Sequence, residues 1–155
     1  MHCQTNEKGF SLIELLIVVA IIGIIAAIAV PNLIASRRAA NEASAISGVR
    51  TLSSAEAAYR QTIGEGVSFG SITQLVTNNM IDASIASATS PDSAKSGYVY
   101  SITLPDDSTS FVVGSAPINT QVGGRRFSSD MPGVIYQDSA DVTTVPTAVS
   151  GSPLN

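Results

Sequence analysis

From Phe10 to Val30 almost every position is apolar. As a helix, this run is long enough to cross a bilayer core of ~30 Å. One carboxylate, Glu14, interrupts it near its start, Gly23 lies inside it and Pro31 follows it. Beyond Pro31 the pattern turns amphipathic. Ala35, Ala39, Ala43, Ile46, Val49, Leu52 or Ser53, Tyr59 and Ile63 recur at helical spacing, while Arg37, Arg38, Glu42, Arg50, Glu56 and Arg60 fall mostly elsewhere. Glu56 and Arg60 stand four apart, in the order that favours an ion pair along a helix. The spacing predicts one helix from Phe10 to about Thr62, ~80 Å long at 1.5 Å per residue, with a kink at Pro31 where an amide is missing. Gly64-Glu65-Gly66 ends it.

After the helix the period changes. Ser71 and Gln74 have capping-box spacing and predict a short helix. Residues 83–96, rich in Ala and Ser, read as a surface loop. Tyr98, Tyr100, Ile102 and Leu104 alternate with polar or smaller residues, as a half-buried strand does. Pro105 to Ser108 is a turn, and Phe111 to Ser115 is the return strand. Arg125 to Ser128 and Gly133 to Gln137 form a second hairpin. The aromatic residues Tyr59, Tyr98, Tyr100, Phe111, Phe127 and Tyr136 fall at core-like spacings. Residues 138–155 lack a period and read as a mobile tail. The fold class is α+β, with the second half of the long helix laid on an antiparallel sheet of about four strands.

Charge and composition narrow the function. The formal net charge is −4, so the chain lacks the cationic surplus that a nucleic-acid partner requires and shows no specific nucleic-acid site. Charged residues make up only 13 %, which leaves a neutral, hydroxyl-rich surface around a small core. The one His and the one Cys are His2 and Cys3. Both lie in residues 1–9, so a chain without that segment has no disulfide, no His-based triad and no His metal site. No catalytic residue, metal ligand or cofactor site is expected. Asp106-Asp107 reads as a solvated turn rather than a calcium loop, because the ligand ladder is absent. Arg125-Arg126 reads as a solvated face, or more sharply as a contact to an acidic neighbouring subunit. Lys8 before the run and Arg37-Arg38 after it give no clear orientation by charge.

Lys8-Gly9-Phe10-Ser11-Leu12-Ile13-Glu14, the apolar run and Pro31 together resemble the N-terminal signature of type IV pilins and type II secretion pseudopilins. The resemblance is strong from Lys8 to about Asn32 and looser to about Ile63. It implies a prepilin leader at 1–9, a long helix at 10–62 whose 10–30 segment is transmembrane and later the filament core, and a head at 63–155 with its tail from about 138. In outline this is a lollipop. A membrane-embedded prepilin peptidase would cut after Gly9 and methylate the Phe10 amine. Glu14 would pair with the Phe10 amine of a neighbouring subunit during assembly, and Gly23 and Pro31 would lend the helix flexibility.

The implied partners are further copies of the chain in a homopolymeric filament, the inner membrane, the peptidase, and an assembly motor with its platform proteins. The implied site of action is the inner membrane and then a cell-surface pilus serving attachment, twitching motility or DNA uptake. The alternatives are the major pseudopilin of a type II secretion system, in a periplasmic pseudopilus, and a membrane-anchored binding module that never polymerises. The last has no need of Glu14 or of a cleavable Gly9-Phe10 bond.

Overall fold

The computed structural model describes residues 9–131, 133–139 and 142–154. Positions 1–8, with His2, Cys3 and Lys8, lie outside them. The chain divides into two compact units, Met1–Ser36 and Arg37–Asn155. Helix α1, Leu12–Thr62, runs through both.

In the first unit α1 is solvent-facing on every side, and each residue from Gly9 to Ser36 is exposed. The helix is long and apolar enough there to cross a membrane, and none of that window is buried within the chain. It continues through Pro31. Pro31 has no N–H, so the Ala27 carbonyl loses its helical bond. Two neighbouring side chains add bonds to the same stretch: Asn32 Nδ2 donates to the Ile28 carbonyl at 3.1 Å, and Ser36 Oγ to the Asn32 carbonyl at 2.9 Å.

In the second unit α1 buries one face. Glu42, Ala45, Gly48, Val49, Leu52, Ala55, Glu56 and Tyr59 are buried, at the spacing of three and four that keeps one face inward. The core joins that face to Leu75, Tyr98, Tyr100, Phe111, Val113, Phe127 and Ile135. The stripe differs from the expected one: Ala35, Ala39, Ala43 and Ile63 are exposed. Two glutamates occupy the true stripe and disguise its phase. Gly48 belongs to it for a steric reason, because a Cβ there would stand 2.6 Å from Tyr100 Cε1. The glycine lets the tyrosine ring lie against the helix backbone.

The sheet is antiparallel, with strands β1 Tyr98–Thr103, β2 Val112–Pro117, β3 Arg126–Ser129, β4 Ile135–Asp138 and β5 Ser152–Pro153 in sequential order. The turns are the expected ones: Ser108 N–H donates to Pro105 O at 2.9 Å, and Gly133 N–H to Asp130 O at 2.9 Å. Helix α2, Ile72–Thr77, starts on the capping box, with Ser71 N–H donating to Gln74 Oε1 at 2.8 Å and Gln74 N–H to Ser71 Oγ at 3.3 Å. Residues 83–96, expected as loop, hold helix α3, Ala83–Ala86, capped by Asp82, and a 3-10 turn at Pro91–Ser93. Ile85 and Ala88 are buried there, and this burial is what makes the segment fold.

The structure has five strands where about four were expected. The fifth lies in the stretch read as a tail. Pro146 is buried, and a Cβ on Gly114 of β2 would meet its carbonyl oxygen at 2.3 Å. Ser150 Oγ donates to Asp138 Oδ2 at 3.2 Å and Leu154 N–H to Ile135 O at 2.8 Å. The terminal segment thus crosses the sheet at β2 and pairs with β4. Gly114→Val should push it off, at about 1–3 kcal/mol by the overpacking rule. A lower urea midpoint together with faster proteolysis within 142–154 is the expected reading.

Candidate processing and assembly site

Gly9, Phe10 and Ser11 have no regular structure, and α1 begins at Leu12. Glu14 is therefore the third residue of the helix and Ser11 its N-cap. Glu14 Oε2 accepts the Ser11 N–H at 3.0 Å, while the Glu14 and Leu15 amides donate to the Ser11 carbonyl at 3.1 and 3.3 Å. This is the glutamate half of a capping box, and a carboxylate in a first turn also meets the positive end of the helix dipole. In the isolated chain Glu14 is thus a cap, a role that its Ser-x-x-Glu spacing signals and that reading it for charge alone overlooks. Phe10, between Gly9 and this cap, is 86 % exposed.

A Cβ added at Gly23 would meet nothing within 4 Å. Among the described residues no contact explains a glycine there. Gly23 and Pro31 are each flanked by exposed Ile, Leu and Val side chains. The helix from Leu12 to Ile34 presents a surface that only lipid or other chains would cover.

The second unit is tied together by polar contacts that the sequence placed on its surface. Arg125 bonds Glu42 Oε2 through Nη2 at 2.6 Å and Nε at 3.0 Å, and donates to Gln137 Oε1. Glu42 Oε1 accepts the Gly124 N–H at 2.9 Å. Arg38 bonds the Thr120 carbonyl and Asn41 the Val122 carbonyl, so the β2–β3 loop is fastened to α1. Arg126 pairs with Asp138 at 2.7 Å. Arg125-Arg126 is accordingly not a freely solvated pair: both arginines are ion-paired within the chain, while the Arg125 side chain stays 43 % exposed. Carboxylates of the same chain already hold both guanidinium groups.

The expected Glu56–Arg60 pair is also absent. Glu56 is fully buried and accepts the Gly70 N–H at 2.9 Å through Oε2, while Oε1 has no partner. Desolvation pushes its carboxyl up to about 7 against the pull of that N–H. Arg60 turns to the Gly66 carbonyl, at 2.7 Å, and lies over the Phe69 ring. Burial likewise raises the Tyr98 and Tyr100 phenols. Tyr98 donates to the Arg125 carbonyl at 2.8 Å. Asp107 Oδ1 accepts the Thr109 N–H at 3.1 Å, which holds the carboxyl below its usual range. Among the described residues, no group of three or more His, Cys, Asp or Glu converges.

An apolar helix with Glu14 in its first turn, continuous with the core helix of a small α+β unit, fits the layout of a prepilin-type subunit. Residues 4–30 match the prokaryotic N-terminal methylation motif. A fimbrial protein of Neisseria meningitidis is 32 % identical over 125 residues, which is 81 % of this chain and 66 % of that protein. The type IV wide pilus major component of Thermus thermophilus is 65 % identical over 37 residues, 24 % of this chain and 28 % of that protein. Type II secretion system core protein G of Escherichia coli is 33 % identical over 60 residues, 39 % of this chain and 41 % of that protein. The chain thus spans less than two thirds of the length of these relatives. No solved structure matches it. The chain belongs to the family of type IV pilins and type II secretion pseudopilins.

Proposed function

We propose that this chain is a type IV pilin, cleaved between Gly9 and Phe10, methylated on the Phe10 amine, held in the inner membrane by residues 10–30, and polymerised into a surface filament for attachment, motility or DNA uptake. The observation that carries this is the exposed apolar helix that follows Gly9-Phe10, within the stretch that matches the methylation motif. Leu12, Ile13, Leu15, Leu16, Ile17 and the large apolar residues after them to Ile34 are exposed among the described residues. At ~25 cal/mol per Å² of apolar surface, packing this helix against copies of itself gives the drive for assembly. An assembly motor with its platform proteins would lift each subunit out of the bilayer. Gly23 and Pro31 would loosen the helix where it packs.

Filament pilin is favoured over pseudopilin by the reach of the similarity. It extends over 81 % of the chain for the meningococcal fimbrial protein and 39 % for core protein G. Surface fibres sheared from cells and probed for this chain separate the two. If instead the chain stays periplasmic and its loss blocks protein secretion, it is a pseudopilin. Mass spectrometry of the native protein should find an N-terminus at Phe10 carrying one methyl group. Gly9→Val, which sets a β-branched side chain beside the scissile bond, should leave the precursor uncut. A native chain that keeps residues 1–9 would overturn the proposal.

A further inference from the structure

The stretch of α1 inside the second unit, Arg37 to Thr62, is about 38 Å long at 1.5 Å per residue, and its two ends carry opposite unpaired charge. At the start, Arg37 and Arg38 are exposed. Arg38 reaches a carbonyl, that of Thr120, and neither arginine meets a carboxylate among the described residues. The one carboxylate nearby, Glu42, is already taken by Arg125.

The far end is acidic. Glu65 is exposed in the turn that ends α1. The β1–β2 turn reaches the same end, because Phe69 N–H donates to Ser108 O at 2.9 Å while Gly70 N–H is held by Glu56 of α1. Asp106 and Asp107 stand exposed at the tip of that turn. Arg60, in the last turn of α1, is turned to the Gly66 carbonyl and the Phe69 ring.

Within one molecule these ends are too far apart to interact, since the Debye length in physiological salt is ~8 Å. Each carboxylate also adds to the negative end of the α1 dipole, which is locally unfavourable. Both groups find partners when copies stack with the same polarity, as parallel apolar helices require. We infer that Arg37 and Arg38 of one copy contact the acidic end, Glu65 with Asp106 and Asp107, of the next copy in the filament. This rests on the polymer reading above. The contact sets register between neighbouring copies, while the apolar helices supply the drive; exposed ion pairs are too weak to do more.

The test is a charge exchange in the full chain: Arg37→Glu, Asp106→Arg, and the two combined. Filament yield is measured beside membrane subunit level and the circular dichroism of the detergent-solubilised chain. Both substituted positions are exposed, so each variant should fold and accumulate as wild type. Each single reversal should lower filament yield about tenfold, and the combination should recover most of it. Wild-type yield from both single variants would overturn the inference and leave the polymer reading standing. Loss in the singles without recovery in the combination would also overturn it. A wild-type chain that forms no fibre under any condition would remove the polymer reading itself and the inference with it.

Discussion

Glu14→Leu should leave a chain that is inserted, cleaved and stable in the membrane but gives at most about a tenth of the wild-type filaments if Glu14 pairs with the Phe10 amine of a neighbouring copy, because breaking a buried ion pair costs ~3–5 kcal/mol at each contact. Insertion becomes easier once the charge is gone, by ~2.5–3.5 kcal/mol on insertion scales. Cleavage should survive, since the scissile bond is four residues away. What remains of the packing is apolar and non-directional, so nothing aligns an incoming subunit with the Phe10 amine of its neighbour. The cap that Glu14 forms on Ser11 offers the competing explanation. Losing a cap frays one helical turn at about 0.5–2 kcal/mol. Glu14→Gln separates the two, because its amide oxygen still accepts the Ser11 N–H while the charge is gone. If the charge aligns subunits, the glutamine variant assembles as poorly as the leucine variant. Wild-type filament yield from Glu14→Gln would make Glu14 a cap and nothing more.

The parts of this fold that were legible in the sequence are those fixed by local chemistry. The Ser71–Gln74 box specifies α2 because both partners of each bond lie within one turn. The alternation of Tyr98 to Thr103 marks β1 as a strand, although Tyr98, Val99 and Tyr100 are all buried and the strand is covered on both faces at its start; the Pro105–Ser108 turn follows from its own residues. What stayed hidden depends on distant partners. Ser152-Pro153 has neither period nor β-branched side chains, and it becomes a strand only because β4 offers an edge and Gly114 leaves room for Pro146. Arg125 looked solvated because its partner, Glu42, lies 83 residues earlier.

The phase of α1 in the second unit was the main misreading, and its signal was available. Glu42, Ala45, Val49, Leu52, Glu56 and Tyr59 follow each other at three and four. Reading every glutamate as surface breaks that stripe, and Ala35, Ala39 and Ala43 then look like its continuation. A buried carboxylate needs a partner that the sequence does not name: Arg125 and the Gly124 amide for Glu42, and the Gly70 amide for Glu56. For the candidate site the balance is different. Gly9, Phe10 and Glu14 were legible because processing and capping are both local in sequence. The opposed charges at the two ends of the 37–62 stretch of α1 emerge only when Ser108 is seen bonded to Phe69.

Glu56 gives the second large effect, and its sign is set by burial. The folded chain holds the Glu56 proton up to about pH 7, against an ordinary carboxyl value of 4.5, so between those values the native state binds more protons than the unfolded state. Stability must then fall as pH rises from about 4.5 to about 7, and level off above. At ~1.4 kcal/mol per pKa unit the loss comes to about 2–4 kcal/mol. Asp107 acts oppositely, since its lowered value contributes stability that disappears only below the ordinary aspartate range, so it does not mask the Glu56 window. Glu56→Gln keeps an oxygen for the Gly70 N–H and never charges. The variant should match wild type near pH 4.5 and exceed it by about 2–3 kcal/mol at pH 8, its stability nearly independent of pH between. Urea unfolding of the detergent-solubilised chain, followed by tyrosine fluorescence from Tyr59, Tyr98 and Tyr100, reads this directly. A wild-type profile that rises from pH 5 to 7, or a glutamine variant less stable than wild type at pH 8, would mean that the Glu56 carboxylate stays charged and that water or a neighbouring donor reaches Oε1.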